Sequence, residues 1–229
     1  MEGVLSVIRF FWVVLCLTAV SVAAQLSLVA AAEPPVILAV EPPVILVFGD
    51  SLSAGYGLPQ GKGWVDLLQK KLVEGGFDYR VVNASISGET SLGGRNRFAA
   101  ALATHKPHIV ILELGSNDGL RGQPLSDLRD NLVAMIREAR RTYAQVVLTG
   151  MRIPPNYGPD YTKKFQGVFT EVARAERVPL VPFLLEGFAS QRDMFQSDGI
   201  HPNEQAQRLV LANVWKLLAP ELHKAVRPG

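Results

Sequence analysis

From Val44 onward one pattern repeats: a short apolar run, a polar loop carrying glycine, then a stretch with apolar residues at helical spacing. Val44 to Phe48 is apolar at every position, as a strand covered on both faces requires. Trp64, Leu67, Leu68 and Leu72 then fall on one side of a helix. Tyr79 to Val82 is the second strand candidate, followed by an Ala-rich helix over Leu92 to Thr104. Ile109 to Leu114 is the third strand, and Leu125 to Tyr143 a helix with Leu128, Leu132, Met135, Ile136 and Ala139 on one stripe. Val146 to Leu148, a helix over Tyr161 to Arg177, and a short strand within Pro179 to Phe183 come next. A closing helix, Glu204 to Leu218, carries Leu209, Val210, Val214 and Leu218 on one face. Strands alternating with helices build a parallel sheet with helices on both sides. No Ser/Gly-rich linker interrupts the pattern, so one α/β domain is expected over residues 44–229. It should be a three-layer α/β/α sandwich, flavodoxin-like, with a parallel sheet of about five strands.

Sheets of this kind bind ligands at the carboxyl ends of their strands. The polar loops stand there. Strand one runs into Gly49-Asp50-Ser51-Leu52-Ser53 and strand two into Asn83 to Thr90. Strand three runs into Gly115-Ser116-Asn117-Asp118-Gly119, and Asp198 to Asn203 precedes the last helix. A serine hydroxyl is a weak nucleophile until a base takes its proton, and the usual base is a histidine oriented by a carboxylate. The chain has four histidines. His105 and His108 flank Lys106-Pro107 before strand three, at the opposite end of the sheet, and His223 lies in the polar tail. His201 alone is in a loop at the right end, and Asp198, three residues earlier, is in reach of its Nδ1. An N-capped helix start with a solvated histidine is the simpler reading of that pair. Acyl chemistry also needs donors for an oxyanion. The Gly88 N–H, the Asn117 side-chain amide and the Ser51 N–H are the candidates, although any one of these residues alone is ordinary turn chemistry.

The blocks GDSLS, SGET, GSND and DGIHPN resemble those of the SGNH hydrolases, also called the GDSL family. The likeness extends from Val44 to about Leu218. It is closest to a bacterial periplasmic group of thioesterase I/protease I/lysophospholipase L1 enzymes, through GDSLSAGYG, NASISGETS, ELGSNDGLRG, RIPPNYG and DGIHPN. Ser116 departs from that group, which often carries Gly there, while Gly115 and Asn117 keep their places. The resemblance implies Ser51 as nucleophile, Ser51, Gly88 and Asn117 as oxyanion donors, His201 as general base and Asp198 as its orienting acid. It implies hydrolysis of fatty-acyl esters, acyl thioesters and lysophospholipids through an acyl-enzyme, without a cofactor. A polysaccharide O-acetyl esterase is the alternative, since it uses the same residues. A non-catalytic binding domain is a further rival that the complete residue set disfavours.

Around the site, Leu120, Ile153, Pro154, Tyr157 and Ile200, with Tyr56, Leu58 and Pro155, are candidates for an apolar groove, or else pack their own loops. Asp50 is read as structural, holding loop amides of the neighbouring block. The loop Asp118 to Leu125, with Gly119 and Gly122, is a candidate lid, and Arg121 reads as solvated. No H-E-x-x-H and no phosphate-binding glycine loop is present, so no metal site is expected.

Before Val44 the chain reads differently. The first 24 residues carry two charges, Glu2 and Arg9, and Phe10 to Ala24 is an apolar block ending in small residues. This is signal-peptide patterning, with cleavage expected after Ala24 or Ala32 and export to the periplasm or beyond. An uncleaved anchor over Phe10 to Ala32 is the competing reading. The lone cysteine, Cys16, lies inside that block, so no disulfide is expected. EPPVIL occurs twice, at Glu33 and Glu41, and residues 33–43 read as a Pro-rich linker. A net charge of +2, from 23 Lys+Arg against 21 Asp+Glu, carries no basic stripe of the kind a nucleic-acid binder shows. The expected partner is a small acyl substrate, the expected mature state a monomer with no stable membrane insertion.

Overall fold

The computed structural model describes residues 41–225. The expected leader, its two expected cleavage positions, Cys16, the first EPPVIL copy and the His223 side chain lie outside the described residues. No helix among the described residues is long and apolar enough to cross a membrane.

The five strands are β1 (Val44–Gly49), β2 (Arg80–Asn83), β3 (Ile109–Glu113), β4 (Gln145–Thr149) and β5 (Leu180–Val181). They form one parallel sheet in the order β2-β1-β3-β4-β5. Every residue of β1 and β3 is buried, which is why both read as unbroken apolar runs. β5 is only two residues long because Pro179 and Pro182, having no N–H, bracket it.

The helices are α1 (Ser51–Ala54), α2 (Trp64–Glu74), α3 (Ser91–His105), α4 (Ser116–Leu120), α5 (Leu125–Arg141), α6 (Pro159–Glu176) and α7 (Gln207–Ala225). α3, α5 and α6 pack side by side, and α2 packs on α7, giving the three layers expected. The inward stripe of α5 is the expected one, Leu128, Leu132, Met135, Ile136 and Ala139, all fully buried. α7 corrects its expectation. It starts at Gln207, runs through Pro220, and buries Val210, Val214, Leu218 and Leu222, spaced four apart. Leu209 is turned about 100° from that stripe and is 40% exposed. α1 and α4 occupy segments expected as loops. Four or five residues carry no readable period.

The flavodoxin-like strand order puts the turn from β1 into α1 at the switch point, where sequence-neighbouring strands diverge to opposite sides. The chain adds its polar loops there.

Candidate active site

Ser51 opens α1, directly after β1. Asp50 caps this helix, its Oδ1 accepting from the Leu52 N–H at 3.0 Å. The hydroxyl of Ser51 lies 2.8 Å from His201 Nε2, and His201 Nδ1 lies 2.7 Å from Asp198 Oδ2. Asp198 Oδ1 accepts from the N–H groups of Ile200 and His201, so the same carboxylate shapes the loop and orients the ring. Burial works to raise the Asp198 carboxyl. The hydrogen bonds from the His201 ring and from these two N–H groups outweigh it and pull it down to about 2. Asp198 is therefore ionised whenever the chain is folded near neutral pH.

The loop carrying His201 is fastened from behind. Gln207 is buried, its Oε1 accepting from Trp64 N at 3.0 Å and its Nε2 donating to Pro202 O at 3.1 Å. Gln196 donates from Nε2 to Tyr56 O, and its N–H to His201 O. Tyr56 packs its ring on the imidazole.

Gly88 sits in the loop after β2 with φ +80°, a conformation that favours glycine. Arg121 is exposed, as expected, and also donates to Gly88 O at 3.0 Å, bracing the loop. Arg97 grips the same loop at Ala84 O and at the Glu89 carboxylate, with its guanidinium 3.9 Å above the Phe48 ring. Asn117 lies in the first turn of α4. Its Nδ2 donates to Glu89 O at 2.9 Å and to Asp50 Oδ2 at 3.2 Å. Asp50 thus holds its own turn and, in the neighbouring block, the side-chain amide of Asn117.

The segment after Asn117 is tied down. The buried Asp118 accepts from Ser91 N at 2.8 Å and from the Ser91 hydroxyl, which Asn131 bonds from its other side. Tyr157 donates its hydroxyl to Leu120 O at 2.9 Å and Tyr161 donates to Gln123 O at 3.0 Å. These bonds tie the stretch expected as a lid to α3, α6 and the turn before α6.

Ser51, Gly88, Asn117 and His201 open into one cleft of about 860 Å³. Leu120, Ile153, Pro154, Pro155, Ile200 and Tyr56 line it. Tyr157 and Leu58 do not; Tyr157 stands behind Leu120 and holds it. Much of the remaining apolar wall, Met151, Phe183, Leu185 and Phe195, was not anticipated, because most of it comes from the irregular segment after β5. No cluster of three His, Cys, Asp or Glu side chains among the described residues is arranged to hold a metal ion.

A parallel α/β/α sheet with a hydrogen-bonded Ser–His–Asp series at its carboxyl edge, opening into an apolar cleft, defines a serine ester hydrolase. Residues 47–209 match the GDSL-like lipase/acylhydrolase family, and the chain belongs to it. It is 53% identical over 176 residues to esterase TesA of Pseudomonas aeruginosa, covering 77% of this chain and 88% of that protein. It is 38% identical over 174 residues to thioesterase 1/protease 1/lysophospholipase L1 of Escherichia coli K12, covering 76% of this chain and 82% of that protein. A crystal structure of TesA superposes with a TM-score of 0.76 at 52% identity, covering 77% of this chain and 98% of that one.

Proposed function

We propose that this hydrolase cleaves fatty-acyl esters, acyl thioesters and lysophospholipids through an acyl-enzyme on Ser51. The 2.8 Å and 2.7 Å links from Ser51 to His201 to Asp198 carry this reading. His201 Nε2 takes the hydroxyl proton as Ser51 Oγ attacks the acyl carbonyl, and the Asp198 carboxylate stabilises the imidazolium that forms. The N–H groups of Ser51 and Gly88 and the Asn117 amide receive the oxyanion. Asn117 supplies its donor by exchanging its longer contact, the one to Asp50. His201 then protonates the leaving alcohol or thiol. Water, activated by the same imidazole, releases the fatty acid. The apolar wall of Leu120, Met151, Ile153, Phe183, Leu185 and Phe195 supports an acyl chain as the bound group.

In the same reading residues 1–32 form a signal peptide removed after Ala24 or Ala32, residues 33–43 a linker, and residues 44–229 an exported monomeric hydrolase in the periplasm or outside the cell. The test is turnover of a p-nitrophenyl ester series by the purified protein. Activity should rise with acyl length and vanish in Ser51→Ala. Acetyl-only turnover would overturn the acyl-chain assignment, and full activity of Ser51→Ala would overturn the nucleophile.

A further inference from the structure

Glu113 ends β3, opposite Gly49 in the register of β1, and is fully buried beneath the turn that carries Ser51. Its Oε2 accepts from the Ser53 hydroxyl at 2.7 Å and from the Asp50 N–H at 3.2 Å. It therefore grips residues on both sides of Ser51. No donor reaches its Oε1. The charged group that acts on it is the carboxyl of Asp50, itself fully buried, whose own backbone N–H bonds Glu113 Oε2. Asp50 has its own surroundings: Leu52 N donates to Oδ1, Asn117 Nδ2 donates to Oδ2, and His201 acts on it through space.

Two carboxylates buried beside one another are not both ionised. Of their four oxygens, three have donors, and Glu113 Oε1 has none. We infer that Glu113 is a neutral carboxylic acid, with its proton on Oε1 donated to the Asp50 carboxylate, and that this acid–carboxylate bond positions both the nucleophile turn and the Asn117 amide. No bond breaks in this role. Glu113 touches no substrate and acts through Asp50 and Ser53. Burial, reinforced by the Asp50 charge, holds the Glu113 carboxyl well above the usual range. Burial also lifts Asp50, but the donors on both of its oxygens, Leu52 N and Asn117 Nδ2, favour its ionised form over that of Glu113. Gly49 is part of the same fitting, since a side chain there would place its Cβ 2.5 Å from Glu113 Oε2.

The inference rests on the roles proposed for Ser51 and Asn117, so its test combines readouts that need those roles with readouts that do not. The variants are Glu113→Gln, which keeps one donor and one acceptor without titrating, and Glu113→Ala. An infrared difference spectrum between the wild type and Glu113→Gln at neutral pH should contain the carbonyl band of a protonated carboxylic acid. That band should persist in Ser51→Ala. The wild-type folded state keeps a proton that the unfolded chain gives up above the ordinary glutamate range, so its stability falls as pH rises towards the folded pKa. Glu113→Gln lacks that loss and should gain steadily on the wild type in melting temperature as pH rises above about 5. In kinetics Glu113→Gln should retain most of kcat, while Glu113→Ala should lose about tenfold or more in kcat with KM little changed. A missing band, a stability gap flat with pH, or Gln as damaging as Ala would each overturn the inference. If Glu113→Ala fails to fold, the Gln variant still decides. Full activity in Ser51→Ala with the band intact would sink the catalytic assignment and leave the buried acid standing.

Discussion

The ring of Tyr56 lies 4.5 Å from the imidazole of His201, tilted 38° to it, in the wall of the cleft. The contact limits how far the base can swing away from Ser51. Half of Tyr56 is exposed, and the ring does the packing, so Tyr56→Phe should leave kcat near wild type. Tyr56→Ala removes an aromatic contact worth about 0.5–1.5 kcal/mol and should lower kcat by roughly two- to tenfold. Steady-state kinetics on one p-nitrophenyl ester checks both. Equal losses in Phe and Ala would mean the hydroxyl, not the ring, matters.

Asp198 gives a pH prediction with a definite sign. Its carboxyl is lowered in the fold from 3.8 to about 2. A lowered acid contributes stability that is present above the unfolded value and is lost as pH falls through the folded one. Denaturation of wild type against Asp198→Asn should show a gap that is constant above about pH 5 and closes towards about pH 2. Replacing His201 by Ala removes the ring's hydrogen bond, so the Asp198 titration followed by NMR should move up towards the usual carboxylate range. In activity, Asp198→Asn should cost about 10⁴ in kcat, as for other triads whose histidine loses its orienting acid.

Asn117 and Asp118 are adjacent but should fail differently. Asn117→Ala removes an oxyanion donor and should cost about 10²–10³ in kcat, out of proportion to the stability lost with its bonds to Glu89 O and Asp50 Oδ2. Asp118→Ala strips the Ser91 N–H and hydroxyl of their buried acceptor. That should destabilise the fold by about 1–3 kcal/mol and lower kcat by letting α4 drift from α3. Chemical denaturation alongside kinetics separates the two. A fully stable Asp118→Ala would mean that Asn131 and water replace the carboxylate.

The contrast between these residues explains what could be read from sequence. The strands and the five longer helices were legible because apolar residues at period two, three or four, or in unbroken runs, face a sheet core. Leu209 misled because one residue of slip around a helix turns a side chain from core to solvent. Ser51, Gly88 and Asn117 were legible as candidates because each stands in a polar segment just past an apolar run, and His201 because its loop leads into the last helix beside an acid three residues away. Glu113 was not, since inside the run Ile109 to Leu114 nothing signals that its partners are Asp50 and Ser53, more than sixty positions earlier in one case and sixty in the other. Tyr157 carried the right residue type for a groove, but its hydroxyl found the Leu120 carbonyl instead. The wall formed by Phe183, Leu185 and Phe195 had no periodic signal tying it to the site.

Glycine positions inside helices offer a test of opposite signs. A Cβ on Gly119, in α4, would lie 2.5 Å from Phe165 Cε2 and 2.8 Å from Ile153 Cγ2. Phe165 is fully buried and Ile153 lines the cleft, so neither side has room to yield freely. Gly119→Ala should destabilise by about 1–3 kcal/mol through overpacking and should impair turnover of long acyl chains more than short ones, since Ile153 is pushed towards the cleft. Gly167, within α6, has only Glu171 Oε1 at 4.0 Å from such a Cβ. Gly167→Ala should therefore stabilise, by about 0.5–1 kcal/mol, because alanine loses less backbone freedom on entering a helix. Thermal melts of the two variants should move in opposite directions, and only Gly119→Ala should change the chain-length profile. If both variants melt higher than the wild type, α4 has room to shift beside Phe165 and Ile153.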